Sequence, residues 1–359
     1  KATGVKPTAP LPAETIELFR RLSEAPGPSG QEDEVRKIIR EQLAGMADDV
    51  SVDTLGNLVA HRKGRGLRVM VAAHMDEIAL MVSAVEKEGL LRFRKVGGID
   101  DRVLLTKAVL VGPRRLPGVI GGKPIHLQEP RERERVIDAD HLFIDIGAKS
   151  REEAERLAKV GDYAVFTTAF EPFGDGLAKG KALDDRVGCL ALLEGLGALR
   201  GQRLKIDLFG AFTVQEELGL RGATVTAYDI APDIGLVLEG TVCSDTPGTD
   251  PEGQATVIGK GPALSVMDAG TIADRRLVQF LRSTAEAAGI PYQFRRAISG
   301  GNDAARIHLA REGAPAASIS VPCRYIHSPV SVCSLDDLQN TVRLLTTALK
   351  KIAEGGLKL

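Results

Sequence analysis

The chain has no tryptophan and only 4% aromatic residues in 359 positions, so it offers no stacking platform for nucleic-acid bases. It also lacks a charge bias. Forty-seven Lys and Arg face 48 Asp and Glu for a net charge of -1, and nothing in that balance asks for a polyanionic partner, so nucleic acid is not expected. The four cysteines, Cys189, Cys243, Cys323 and Cys333, form no C-x-x-C pair and sit among small or apolar residues. They are expected to be reduced core or near-site thiols of a cytoplasmic protein rather than a disulfide framework. No hydrophobic run reaches transmembrane length, and Lys1 to Pro12 holds three prolines but no apolar signal core. Neither export nor a membrane partner is expected.

What is present is ordinary for a globular protein, with 43% hydrophobic and 26% charged residues. The length exceeds one usual core, which predicts two domains or one domain with a large insertion. Ile16, Phe19 and Leu22, then Val35, Ile38, Ile39 and Leu43, recur at helical spacing and predict two amphipathic helices over 13–24 and 32–43. Strands are predicted at 50–53, 57–61 and 68–73. From about Ser83 to about Phe170 short β-prone runs are punctuated by Gly97-Gly98, Gly112-Pro113, Pro117-Gly118 and Gly121-Gly122. There only 150–160 reads as a helix, opened by Ser150 and Glu153, and Arg131 to Arg135, with alternating charge, reads as a solvated loop or edge. An α/β pattern then resumes: helix 187–199, strands 205–214 and 234–238, helix 273–288, strand 292–296, helix 304–311, strand 316–320 and helix 335–352.

Ligand-type residues recur just after the β-rich runs. Residues 67–73 lead into His74-Met75-Asp76-Glu77, 205–214 into Gln215-Glu216-Glu217, 234–238 into Glu239, and 316–321 through Pro322 to His327. In an open α/β sheet, functional groups gather outside the carboxyl ends of the strands, so these pieces converge on one crevice with Asp184-Asp185. Two adjacent carboxylates repel unless a positive charge joins them, and a metal is the simplest such charge. Taken singly, His74 or His327 is more readily a structural histidine, Glu216-Glu217 a surface pair and Asp184-Asp185 a helix cap. Their joint placement favours two metals. Asp184 suits the bridge, His74 and Glu239 complete one shell, and Glu217 and His327 the other. Glu216 is left free to move a proton, and Asp76 is placed to take the second imidazole N–H of His74 and fix its tautomer. Asp185 shapes the backbone that presents Asp184. His61, His126, His141 and His308 lack partners at ligand spacing and read as structural. Gly300-Gly301-Asn302-Asp303 is either an anion-holding loop or a plain turn with an N-cap.

The segments Ala73 to Ile78, Lys181 to Arg186, Gln215 to Gly222, Asp245 to Gly248 and Arg324 to Pro329, with Gly118 to Gly121 and Phe143 to Ala148, resemble metallopeptidase family 42, the tetrahedral, deblocking and glutamyl aminopeptidases. The resemblance implies a three-layer α/β/α, phosphorylase/hydrolase-like di-metal peptidase domain over 1–82 and 171–359. An inserted small β-barrel-like domain over 83–170 would mediate dimerisation and oligomerisation. It implies two zinc or cobalt ions per subunit, with Asp184 as bridge and His74, Glu217, Glu239 and His327 as the other ligands. Glu216 would be the general base, and a cis peptide would join Asp184 to Asp185. Members commonly form dodecamers, hollow tetrahedra built from dimers. Two positions depart from the pattern: Glu239 where many members have Asp, and Asn302 where Thr is usual.

The function expected is removal of amino-terminal residues from short peptides by a metal-activated hydroxide, with Glu216 as base. The alternatives are a di-metal deacylase or carboxypeptidase and, further off, an endoglucanase, which would need an acid and base pair flanking a sugar groove.

Overall fold

A computed structural model describes residues 10–357. The proline-rich arm from Lys1 to Ala9 lies outside the described residues. Two amphipathic helices come first, α1 (Ala13–Glu24) and α2 (Asp33–Gln42), followed by the hairpin β1 (Asp49–Val52) and β2 (Leu58–Arg62) and by β3 (Arg68–His74). The chain then leaves the sheet through β4 (Ala79–Val85), β5 (Leu91–Val96), β6 (Ala108–Val111), β7 (Leu116–Gly121), the one-turn helix α3 (Pro130–Arg133), β8 (Phe143–Asp145), α4 (Arg151–Leu157) and β9 (Tyr163–Phe166). It returns through β10 (Glu171–Phe173) and β11 (Leu177–Gly180) to α5 (Leu183–Ala198), β12 (Asp207–Thr213), α6 (Arg221–Ile230) and β13 (Ile234–Cys243). The last stretch holds β14 (Ala263–Leu264), α7 (Arg275–Ala287), β15 (Gln293–Phe294), α8 (Ala304–Ile307), β16 (Ala316–Arg324), β17 (Ser331–Ser334) and α9 (Leu335–Ala353).

The strands make two sheets. One is a mixed sheet in the order β1-β2-β12-β3-β13-β16-β17-β11-β10, with β14 and β15 beside β16; the other is a closed barrel, β4-β5-β8-β7-β6-β9. The fold is thus a mixed α/β sheet with a small inserted six-stranded barrel. In the middle of the large sheet β12, β3, β13 and β16 run parallel. Parallel strands covered on both faces read as unbroken apolar runs, and β3 shows why. Val69, Val71 and Ala73 enter the core under α1, α2, α5 and α9, while Met70 and Ala72 enter the smaller core under α6 and α8. The barrel has its own core, in which Leu80, Val82, Leu91, Phe93, Ile120 and Ile144 fill the interior.

Several elements differ from the sequence expectation. Between β12 and β13 no helix is expected, yet α6 makes that crossover. Gly222, Thr224 and Thr226 dilute its helical signal, and its buried face is small: Gly222, Ala223, Thr226, Ala227 and Ile230. β13 and β16 run five and four residues beyond their predicted ends. Arg131 to Arg133, expected as loop or edge, form α3, where Glu129 and Glu132 build a capping box that a charge-alternation reading passes over. Helix 273–288 is slightly trimmed at both ends, as α7, while helix 304–311 starts where predicted but ends early, as α8.

Candidate metal centre

The carboxyl ends of the four parallel strands converge on one crevice. β3 ends at His74, which is 2% exposed. Its Nδ1 lies 3.1 Å from the backbone carbonyl of Asp76 and 3.4 Å from the Asp76 carboxylate. Its Nε2 faces Glu239 Oε1 at 3.2 Å, Asp184 Oδ1 at 3.3 Å and Glu216 Oε2 at 3.9 Å. Glu239 reaches in from within β13 rather than from the loop after it, because the strand continues to Cys243.

Asp184 and Asp185 stand at the head of α5, joined by a cis peptide and outside helical φ/ψ. Their tasks divide. Asp185 is fully buried and accepts N–H bonds from Gly188 at 2.9 Å, Gly240 at 3.0 Å and His74 at 3.1 Å, so it ties α5, β13 and β3 together. Asp184 is left to face the crevice, one oxygen toward His74 and the other 3.4 Å from His327 Nε2. Gly240 permits this approach, since a Cβ there would stand 3.1 Å from the Asp184 Cα.

After β12 the chain turns at Gln215, which has positive φ. The Asp76 carboxylate holds that turn. It accepts N–H bonds from Glu216 at 2.9 Å and Glu217 at 3.1 Å and the Ser29 hydroxyl at 2.6 Å. Asp76 therefore positions the Glu216-Glu217 backbone as well as standing near His74, a role its spacing from His74 alone does not suggest. His327 sits in the β16–β17 connection with positive φ, its Nδ1 2.8 Å from the Gly98 carbonyl of the barrel segment and its Nε2 3.7 Å from Glu217.

Three overlapping groups of donor atoms result, each within 4.8 Å: His74, Glu216 and Glu239; Asp184, Glu217 and His327; Asp184, Asp185 and Glu239. Burial raises Glu239, with Asp185 adding to it, and likewise Glu216 and Asp185; it lifts Glu217 to about 7. Burial acts against the charged imidazole of His327, yet Asp184 and Glu217 outweigh it and raise the group to about 10. Burial also opposes the Asp184 carboxylate, but its contacts with His327 and His74 hold it well below the usual range. Asp184, Glu216, Glu217 and Glu239 meet no Lys or Arg in an ion pair among the described residues, and Glu239 Oε2 is buried without a partner. Buried carboxylates whose ion-pairing partners are two imidazoles, with Arg295 acting on Glu239 from farther off, are unstable as anions. A divalent ion or pair of ions fits this donor set of N and O atoms.

At the crevice Thr241, Asp268 and Arg295 carry no sequence signal, whereas Asn302 and Asp303 belong to the glycine loop that the sequence singles out. A cavity of about 470 Å³ opens beside the cluster, lined among others by Thr241, Asp268, Arg295 and Asn302. Arg295 is fastened by Thr241 Oγ1 at 3.0 Å and the Ala297 carbonyl at 2.7 Å. Asp303 lies buried near Glu216, one oxygen accepting from the Thr213 hydroxyl at 2.5 Å and the other unpartnered, with burial raising it to about 6. Asn302 Oδ1 accepts from Ala304 N at 3.0 Å, an Asx-type turn ahead of α8, whose N-cap residue Asp303 makes no side-chain cap bond. Of the other histidines, His61 pairs with Asp207 at 2.7 Å and stacks on Phe209, and His308 bonds the Ala304 carbonyl. All four cysteines are free and buried, Cys323 opposite Cys333 across β16 and β17.

Residues 56–344 match the model of the M42 glutamyl aminopeptidase family. The lysyl aminopeptidase of Pyrococcus furiosus is 36% identical over 344 residues, 94% of this chain and 97% of its own. A TET aminopeptidase from a marine sediment Thaumarchaeota archaeon superposes with a TM-score of 0.92 at 41% identity, covering 95% of this chain and 98% of that one. The Pyrococcus horikoshii TET1 peptidase, which can assemble into a tetrahedron or a large octahedral shell, superposes with a TM-score of 0.84 at 38% identity over 93% of this chain and 98% of its own. A TET1 dodecamer has been solved as well.

Proposed function

The chain belongs to the M42 glutamyl aminopeptidase family and is an aminopeptidase of that family; we propose that it removes amino-terminal residues from short peptides with two divalent ions per subunit, zinc or cobalt. One observation carries this reading: two groups of imidazole and carboxylate donors meet at Asp184, whose two oxygens face His74 and His327. His74, Asp184 and Glu239 would hold one ion and Asp184, Glu217 and His327 the other. Bound there, such ions supply Lewis acidity to a scissile carbonyl and lower the pKa of water to about 7.

The chain's own groups do the rest. Glu216, largely shielded beside His74 and paired with no Lys or Arg among the described residues, stands at the cluster's edge to take a proton from the attacking water and pass it to the departing amine. Asp76 is a positioning residue, fixing the Glu216-Glu217 turn through two N–H bonds and crowding His74 Nδ1. Asp185 holds Asp184 outward. Residues 1–82 and 171–359 form the catalytic part on this reading, and 83–170 the part that brings copies together. The Gly98 carbonyl on His327 ties the two parts at the site.

The test is the end of the peptide attacked. A free tripeptide and its N-acetylated and carboxyl-amidated forms are incubated with metal-loaded protein and the products weighed by mass spectrometry. Release of the first residue from the free and amidated forms, with the acetylated form intact, is expected. Cleavage of the acetyl group or of the last residue would move the protein to the deacylase or carboxypeptidase reading, and cleavage of a β-glucan that survives chelation to the endoglucanase reading.

A further inference from the structure

At the opposite end of the parallel strands, the turn between β2 and β3, the loop between α5 and β12 and the turn after α2 enclose a pocket of about 680 Å³. Into it come Arg62, Lys63, Arg65, Arg200, Arg203 and Lys205 against one carboxylate, Asp48. Asp48 already accepts from the Lys63 backbone N–H at 2.7 Å. In a chain of net charge -1, this is a strong local concentration of one sign, drawn from segments about 140 residues apart in sequence.

Ordinary surface pairing does not account for these cations. Elsewhere exposed arginines such as Arg20, Arg94, Arg102 and Arg276 hold carboxylates. Among the described residues, the side chains of Arg65, Arg200, Arg203 and Lys205 hold none, nor any hydrogen bond. Arg62 is half-buried. Its Nη2 donates to the Gln202 carbonyl at 2.7 Å, but its Nη1 is buried with no protein acceptor, and burial lowers its guanidinium pKa against the weaker pull of Asp48. The carboxyl ends of α2 and α5 lie nearby, and each helix end carries about half an elementary negative charge, roughly one unit together against six cations.

We propose that this pocket binds a small organic anion carrying two phosphate groups. Guanidinium forks match phosphate oxygens two at a time, and arginines arriving from separate loops can grip two phosphates at once. The volume lies within the usual range for small-molecule sites, and Met46, Leu204 and Leu208 offer apolar wall to the body between the phosphates. The seven residues of β3, at about 3.3 Å each, put the pocket roughly 20 Å from His74, so the site is separate from the metal centre.

The test is calorimetric titration of the metal-loaded protein with fructose 1,6-bisphosphate at low salt, with fructose as the unphosphorylated control. One site per chain is expected, silent toward fructose and weakened about tenfold or more by 0.5 M NaCl and about tenfold or more in the variant Arg65→Ser/Arg200→Ser/Arg203→Ser, whose peptidase activity stays at the wild-type level. Should the triple variant fail to fold, the exposed single change Arg203→Gln carries the test, with a loss of about threefold or more expected. Absence of binding to the wild type overturns the proposal. So does affinity unchanged in the folded variant, which would place the bisphosphate at the metal centre.

Discussion

Glu216 and Glu217 are neighbours with different surroundings, and their difference is the sharpest prediction at the residue scale. Glu217 stands with Asp184 and His327, whereas Glu216 stands between His74 and Asp303. Glu216→Gln keeps the shape and removes the base. It should leave two metals bound, by elemental analysis, and lower kcat by about 10² to 10⁴ on an amino-acid p-nitroanilide. Near-normal turnover with both metals present would place the base elsewhere. The pKa shifts add a pH dependence. Before metal binds, Glu217 titrates at about 7 and His327 at about 10, and both must lose protons to serve as ligands. Metal affinity, measured by chelator competition, should therefore rise from pH 6 to pH 9, by up to about tenfold per unit for each proton released. The sign for the metal-free protein is opposite. Glu217 is raised from 4.5 in the folded state, so its neutral form stabilises the fold at low pH and that contribution is lost as pH rises from about 4.5 to about 7. The cluster residues were legible in the sequence because each follows a β-rich run or a paired-acid motif. Arg295 and Asp268 were not, since each is a lone polar residue in or beside a turn and only folding brings it to the crevice, and Asp303 stood out only as part of the glycine loop 300–303 and not as a carboxylate near Glu216.

At the scale of elements, periodicity and turn chemistry located α1, α2, the β1–β2 hairpin, β3, α5 and α9 within a few residues. These are the elements with wide apolar stripes or unbroken apolar runs. α6 escaped because a helix packed through glycine, alanine and threonine has almost no apolar contrast. Gly222 is nevertheless required there, for a Cβ would stand 2.3 Å from Asn57 Oδ1 and 2.4 Å from the Val214 carbonyl. β10, β11 and β17 are only three or four residues long, too short for alternation to register. Glu239 shows how an element boundary changes a site: the strand carries it past the predicted end, so this ligand candidate is held by rigid sheet backbone. α5 shows the reverse. Its regular helix follows the two acids, and Asp184-Asp185 stand as a separate corner braced by Gly188, Gly240 and His74.

For the whole molecule, the inserted barrel explains more than its own core. One side of it leaves Val119, Ile125 and Val136 between 50% and 59% exposed, around a cavity of about 950 Å³. Apolar patches of that kind mark interaction surfaces. We read this face as contributing to self-association, and light scattering after size-exclusion chromatography should give the mass of twelve chains; a monomer at micromolar concentration would contradict that. No helix among the described residues is long and apolar enough to cross a membrane. On the proposed reading, this buried constellation of imidazoles and carboxylates is a metal centre that cleaves amino-terminal peptide bonds. Its most direct test is the hydrolysis of Glu-, Leu- and Lys-p-nitroanilide by protein stripped with chelator and then resupplied with zinc or cobalt. Cleavage should be lost on stripping and return with either ion, whereas full activity in protein shown to be free of metal would rule out a catalytic metal centre.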